Sequence, residues 1–522
     1  MRQNKFSVVL AIFITLSAGC ATAPEKKPSE LAGDHGYLTG AIHSKEIVGL
    51  ELQGENGKRV SVYTDSTFLA HRRINTWIPT GKYQIVRMII PGIVNTNLVT
   101  FEKNSLPEIE LKAHGVTDLG NLVPVNLGGG AYTLAWQPRT DRRQPRIVQE
   151  NLEIFDPNRS ITWSASGKLP LGKISTGSTG LGLIADWVVA YGEAGQRGKS
   201  MGFDDLTHEN ALVHIQSFSS PVTPLYLDDA GSEYFGTTLG AIRYKTGDSW
   251  NLMTTGSLEA VTAVRYEASG HILAALESGE LLESIDGGTT WKRLSTFGTG
   301  ELAVDIRKIN GILYVSTWIP DEVLGVKLSE AQTVKPTVKI YSIAGEQLEE
   351  IAVVECAQTL KVFASPRIEN NATSLFVSMP QETLAEVNVS TGSVRKIDPP
   401  KKFTGFSYSA ESDLMAVWLA GGMFSHAHFS DDLGNNWGKL PKPPYQPRDI
   451  YLETTANGYM WSLSANFNST NYELARIDAN KNRWEPIAES DKSCTQILSN
   501  FQHNQHYCVF PNGVLLELSN NK

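Results

Sequence analysis

Two octapeptides in this chain concentrate groups able to do chemistry. "SIDGGTTW" (284–291) sets Asp286 among the hydroxyls of Ser284, Thr289 and Thr290, and "SDDLGNNW" (430–437) sets Asp432 two residues after Ser430. A carboxylate beside hydroxyls is the raw material of acid/base and nucleophilic catalysis. Just upstream of the second octapeptide, His426 and His428 in "SHAHFSDD" lie at the i, i+2 spacing that puts two imidazoles on one face of a strand, with Asp431 or Asp432 in reach as a further metal ligand. The bland reading is a solvated or channel-facing strand. One His pair with no third ligand at fixed spacing assigns no metal.

The elements that carry these groups are strands. Short β-branched and aromatic runs such as "GILYVSTW", "TSLFVSM", "LMAVWLA" and "GYMWSLS" alternate with Gly, Asn, Asp and Ser clusters at roughly ten-residue spacing. The pattern predicts an all-β protein. One helical signal interrupts it: Leu181, Ile184, Ala185 and Val188 make an apolar stripe that predicts a short helix near 181–191.

The octapeptides share the form S-x-D-x-G-x-x-W, carried by Ser284, Asp286, Gly288 and Trp291 and again by Ser430, Asp432, Gly434 and Trp437. They resemble the Asp-boxes (BNR repeats) of sialidases, sortilin-type receptors and photosystem assembly propellers. Degenerate copies follow. "YKTGDSW" keeps Gly247 and Trp250 but has Lys245 in place of the acid, "RIDANKNRW" keeps Asp478 and Trp484 with one residue inserted, and "NVSTGSV" keeps Gly392. Taking Trp250, Trp291, Val338, Val394, Trp437 and Trp484 as equivalent points gives intervals of about 40 to 56 residues, the period of four-stranded propeller blades. That makes six blades. A seventh is predicted from "NQHYCVFPNGVLLEL" near the end, closed by the strand-like "NRSITWSAS" at 158–166 as its outer strand. Seven is preferred and six is the alternative. The resemblance implies that the boxes sit on the outer rim, where the acid closes an Asx-type turn and the Trp wedges between sheets, so that they are structural.

Residues 36–155 read differently. Alternating strands surround the turn Ile78-Pro79-Thr80-Gly81-Lys82-Tyr83, which resembles the "lPxGkY" turn of transthyretin-like or carboxypeptidase-regulatory β-sandwiches. The expected organisation is a signal peptide at 1–19, a tether at 20–35, a β-sandwich at 36–155 and a propeller at 158–522.

The N-terminus predicts where the chain goes. Arg2 and Lys5 precede an apolar run, Phe6 to Leu16, too short for a permanent membrane helix. It closes on Leu16-Ser17-Ala18-Gly19-Cys20, which resembles the lipobox of bacterial lipoproteins and implies lipid attachment at Cys20. Ser17 stands where Leu is usual, which keeps ordinary signal cleavage as an alternative. Ala21, rather than Asp, after the cysteine implies the outer membrane. The formal charge of −9 becomes −11 once Arg2 and Lys5 are removed, and no Lys/Arg-rich run follows the tether, so nucleic acid is not an expected partner. Cys494 and Cys508 flank a segment long enough for two antiparallel strands to return side by side, which predicts a disulfide. Cys356, in "IAVVECA", reads as a buried thiol.

The expected function is binding or assembly support at the envelope, with a protein or glycan partner and no cofactor. The alternative is a sialidase-like hydrolase or a carbohydrate-binding protein. A sialidase needs three arginines on the substrate carboxylate, a Tyr–Glu pair and an Asp acid. The family's F/Y-R-I-P signature is absent: "QPRIV" at Arg146 and "SPRIE" at Arg367 lack the following Pro. Three arginines converging with a Tyr–Glu pair on the central face would favour the enzyme.

Overall fold

The structure is a computed structural model. It describes residues 28–518 apart from 65–70, 92–96, 140–147, 149–150, 176–201, 320–336, 356–365, 380–382, 420–425, 443–446, 456–458, 467–471, 479–482, 491–493 and a few single or paired positions. The signal segment, Cys20, Cys356 and the helix expected near 181–191 lie outside the described residues.

The described residues are nearly all β, with two short α-helices among them, Pro28–Leu31 and Ala211–Gln216. Among the described residues no helix is long and apolar enough to cross a membrane.

The N-terminal strands form one continuous eleven-stranded sheet in place of the two sheets of the expected sandwich. Strands Gly49–Gly54, Arg59–Tyr63, Gly81–Ile90 and Asn97–Phe101 make one half. His35–His43, His71–Pro79, Val116–Gly128 and Ala131–Gln137 make the other. Leu171–Ser175 pairs with Asn97–Phe101 on one side and Ala131–Gln137 on the other, and so zips the halves together. The sheet curls round a single core to which both halves contribute, with Leu50, Leu52 and Val99 meeting Leu38, Ile74, Leu122 and Leu134. The Pro79–Gly81 turn links the two halves, and the Tyr83 hydroxyl donates back to the Pro79 carbonyl at 2.8 Å.

Seven further sheets follow, the first six with four antiparallel strands each in sequence order. They are the blades of a seven-bladed propeller. Their inner strands are Tyr226–Leu227, Val261–Tyr266, Leu302–Ile309, Arg367–Asn370, Phe403–Ser409, Pro447–Thr454 and Gln496–Asn500. Second strands such as Ser374–Met379 and Leu414–Leu419 are mostly apolar and buried along their whole length, because they are covered on both faces by neighbouring blades. Outer strands such as Val394–Ile397 are exposed except at the residue that meets the next blade.

Ring closure departs from expectation. Ile161–Thr162, from the segment expected to complete the last blade, instead pairs in parallel with Thr117–Asp118 of the first sheet. Trp163 is the physical reason: its ring is buried in the first core, edge-on to Trp136, and its backbone N–H donates to the Asp118 carbonyl. Among the described residues blade 7 therefore has three strands, Gln496–Asn500, Gln505–Val509 and Leu515–Glu517. Blade 7 meets blade 1 through side chains. Phe235 and Trp250 of blade 1 pack with Leu498, Tyr507 and Val509. Buried Glu233 accepts from the Tyr507 hydroxyl at 2.6 Å and from Asn500 Nδ2 at 2.8 Å, while Lys245 Nζ donates to the Tyr507 hydroxyl at 2.8 Å. The lysine that replaces the box acid in blade 1 thus belongs to the closing clasp.

The first sheet is fixed to blade 1 by a shared core in which Val123, Val125 and Ala135 meet Phe203, Ile215, Leu239 and Leu258.

Candidate functional site

The two octapeptides fold alike. Ser284 Oγ donates to Asp286 Oδ1 at 2.8 Å and accepts from the Gly288 N–H at 2.8 Å. The carboxylate then accepts from the Thr290 N–H at 2.9 Å and the Thr290 hydroxyl at 2.6 Å. Ser430, Asp432, Gly434 and Asn436 repeat the pattern, with Asn436 N and Nδ2 as donors. The acid accepts from the N–H four residues on, where an Asx-type turn would use the N–H two residues on; the serine makes a two-residue link, accepting from the Asp286 N–H at 3.5 Å. These bonds hold the Asp286 carboxyl down at about 2, with Thr290 the main cause, and lower Asp432 likewise through Asn436. An acid so fully ionised and so fully engaged is a poor proton donor.

The boxes fasten blades. Gly288 has φ +85° and lies against Met253 of blade 1's outer strand so closely that a Cβ would overlap its Sδ and Cγ. Gly434, also at +85°, lies in the same way against Ile397 of blade 4's outer strand. Arg395, from that strand, donates to the Leu433 carbonyl at 3.0 Å. Trp291 and Trp437 pack at the same seams, and Trp484 packs on blade 5 with its Nε1 donating to the Pro441 carbonyl at 2.8 Å.

A different set of residues occupies the centre. Asp305 and Arg307 on blade 3 and Arg367 and Glu369 on blade 4 alternate along inner strands, so each pair points to one face. Arg307 Nε donates to Asp305 Oδ2 at 2.6 Å, and its NH2 lies 3.5 Å from Glu369 Oε2. Arg367 Nε donates to Glu369 Oε1 at 2.7 Å and its NH2 to Glu453 of blade 6. The Tyr226 hydroxyl of blade 1 donates to Asp305 at 3.5 Å. The Tyr226–Asp305 and Arg367–Glu453 links each skip a blade, so the side chains bridge the central hollow. Burial raises the carboxyls of Asp305 and Glu453 despite their arginines. Burial and the Asp305 charge push the Tyr226 phenol well up.

Of the two arginines weighed from the sequence, Arg367 reaches the centre and Arg146 lies outside the described residues. The sequence reading missed Tyr226, Asp305, Arg307, Glu369 and Glu453. The signal was present as D-x-R in "VDIRK" and R-x-E in "PRIEN", charges at strand period where an inner strand needs none for its core.

Cys494 and Cys508 are buried separate thiols, which corrects the expected disulfide. The register opposes Cys508 to Ile497, three residues beyond Cys494, and the Cys494 thiol donates to the Gln496 carbonyl. His426 and His428 gain no third ligand: among the described residues no group of three or more His, Cys, Asp or Glu is placed to hold a metal. Burial, the largest cause, holds both imidazoles below their ordinary value; Lys439, Lys442 and Lys401 add to it at His426, and His426, Lys439 and Lys401 at His428.

No family model matches the chain, and no curated protein matches it. Solved propellers align with it over part of its length. YCF48 from Cyanidioschyzon merolae is 12% identical, covering 57% of this chain and 96% of its own, with a TM-score of 0.40. YCF48 bound to D1 peptide is 15% identical over 57% of this chain and 95% of its own, at 0.39. Saccharomyces cerevisiae Sqt1 is 14% identical over 58% and 98%, at 0.36. Similarity at this level carries no argument about activity, and the seven blades are read from the sheets themselves.

Proposed function

We propose that this protein is a lipid-anchored binding or assembly-scaffold protein of the bacterial outer membrane, attached through Cys20, which presents its propeller to a protein or glycan partner and performs no catalysis. The observation that carries the reading is the central ion network. Arg307 and Arg367, which a sialidase would turn on a substrate carboxylate, each grip two protein carboxylates instead. Tyr226, the tyrosine at the centre that a sialidase-type reaction would need as its nucleophile, has its phenol held more firmly protonated, the reverse of activation. With the hollow bridged, the surface left for recognition is the loops around it.

A pull-down from envelope membranes tests this, with full-length protein and a soluble form lacking Cys20 as baits. Both should retain the same protein or glycan, and palmitate labelling should disappear in Cys20→Ala. Retention of nothing by either bait contradicts the binding role. The second reading, a glycoside hydrolase, draws on the same cluster, since two arginines, a tyrosine and three acids meet at the centre. Turnover of glycosides that is lost in Tyr226→Phe would favour it.

A further inference from the structure

The chain carries 55 acidic against 46 basic residues, yet one face of blade 5 is crowded with cationic groups. His428 lies directly opposite Lys439 across the two outermost strands, and His426 falls two residues before His428 on the same face. Lys439 and Lys401 act electrostatically on both rings, and Lys442 acts on His426. Among the described residues no carboxylate is among the charges acting on either ring. The nearest box acid, Asp432, is engaged by Ser430 and Asn436. Both Nδ1 atoms are shielded from solvent without a hydrogen-bond partner. A lysine fixed opposite His428, with further ammonium charge nearby, makes this a face that an anion would complement.

We propose that this face of blade 5 is a binding site for a phosphate group, held by Lys401 and Lys439, with His426 and His428 as donors that take up protons when it binds. Two ammonium groups and two imidazoles offer more donors than the two oxygens of a carboxylate accept. A phosphate has more oxygens to receive them and carries up to two negative charges near neutral pH. The sign of the coupling follows. An anion beside the rings favours their charged form, so phosphate binds more tightly as pH falls through the range in which the rings protonate. The phosphate is either free or part of a lipid headgroup.

Histidine ring NMR on the unacylated full chain bearing Cys20→Ala tests the site, comparing inorganic phosphate with chloride at equal ionic strength. His426 and His428 should titrate at higher pH in phosphate, whereas the buried His43 and His506 should not move. Lys439→Gln, an exposed change that leaves the fold intact, should weaken phosphate binding about tenfold through loss of one charge-assisted contact. Co-sedimentation with phosphatidylglycerol vesicles, against phosphatidylcholine, separates the sources. Vesicle binding displaced by phosphate and lost in Lys439→Gln identifies a headgroup, and phosphate binding without vesicle binding identifies a free or soluble phosphate. If phosphate moves the two rings no more than chloride and vesicles are not retained, or if Lys439→Gln alters neither readout, the proposal is overturned.

Discussion

Adding one methyl group at Gly288 tests how the boxes hold the ring. At φ +85° any non-glycine residue is strained, at a cost of about 1–2 kcal/mol. The new Cβ would also meet Met253 Sδ and Cγ in the neighbouring blade, and forcing an extra methyl into such a contact costs about 1–3 kcal/mol. Gly288→Ala should therefore destabilise by about 2–5 kcal/mol in total. The adjacent Gly287 is the internal control. Its φ is +70° but nothing lies within 4 Å of its missing Cβ, so Gly287→Ala should cost the strain alone, about 1–2 kcal/mol. Urea unfolding followed by tryptophan fluorescence reads both through the midpoint at constant slope. The contact is isolated by a double-mutant cycle with Met253→Ala, in which the pair should be less damaging than the sum by about 1–3 kcal/mol. Equal shifts for Gly287→Ala and Gly288→Ala, with an additive cycle, would refute the view that the box turn presses on the preceding blade.

Other consequences are as direct. Burial holds His43 and His506 at about 4, against an ordinary value near 6.5. Between those values the unfolded chain binds protons that the folded chain refuses, so stability should fall as pH drops from 6.5 towards 4, by about 3 kcal/mol per histidine. Asp305 and Glu453, raised by burial, moderate the slope with the opposite sign. Urea midpoints at pH 7 and pH 5 should show the loss, and His43→Gln with His506→Gln should flatten it. Glu233→Ala leaves Lys245, Tyr507 and Asn500 without their buried acceptor and should cost about 3–5 kcal/mol. Glu280→Ala, which breaks the exposed pair with Arg293, should cost at most about 1 kcal/mol. With Cys20 and Cys356 replaced, Cys494 and Cys508 should react with a thiol reagent only after unfolding, and reductant should leave the unfolding midpoint unchanged.

The propeller was legible in the sequence because Asp286, Gly288 and Trp291 recur at Asp432, Gly434 and Trp437, and the box sets the blade period. The turn is local, and local hydrogen bonding leaves a local signature. Ring closure was not legible. It depends on Trp163 choosing the first core over the last blade, and on Glu233 meeting Tyr507, 274 residues away in the chain. The same holds for Leu171–Ser175, whose five residues give no sign that they join two half-sheets. The central network was half visible: charges at strand period marked the inner strands of blades 3 and 4, but which blade each side chain would reach across the hollow is a property of the closed ring. The disulfide expectation failed on register, since sequence separation permits a hairpin without fixing which residues face each other.

The central claim is that the acids and arginines in the hollow bind one another and turn over no substrate. Assaying the purified protein against fluorogenic glycosides, sialosides included, from pH 4 to pH 8 tests it most directly, with Arg367→Ala as the reference. The account predicts the same background rate for both proteins. Turnover by the natural chain that is abolished in a folded Arg367→Ala or Tyr226→Phe variant would contradict it.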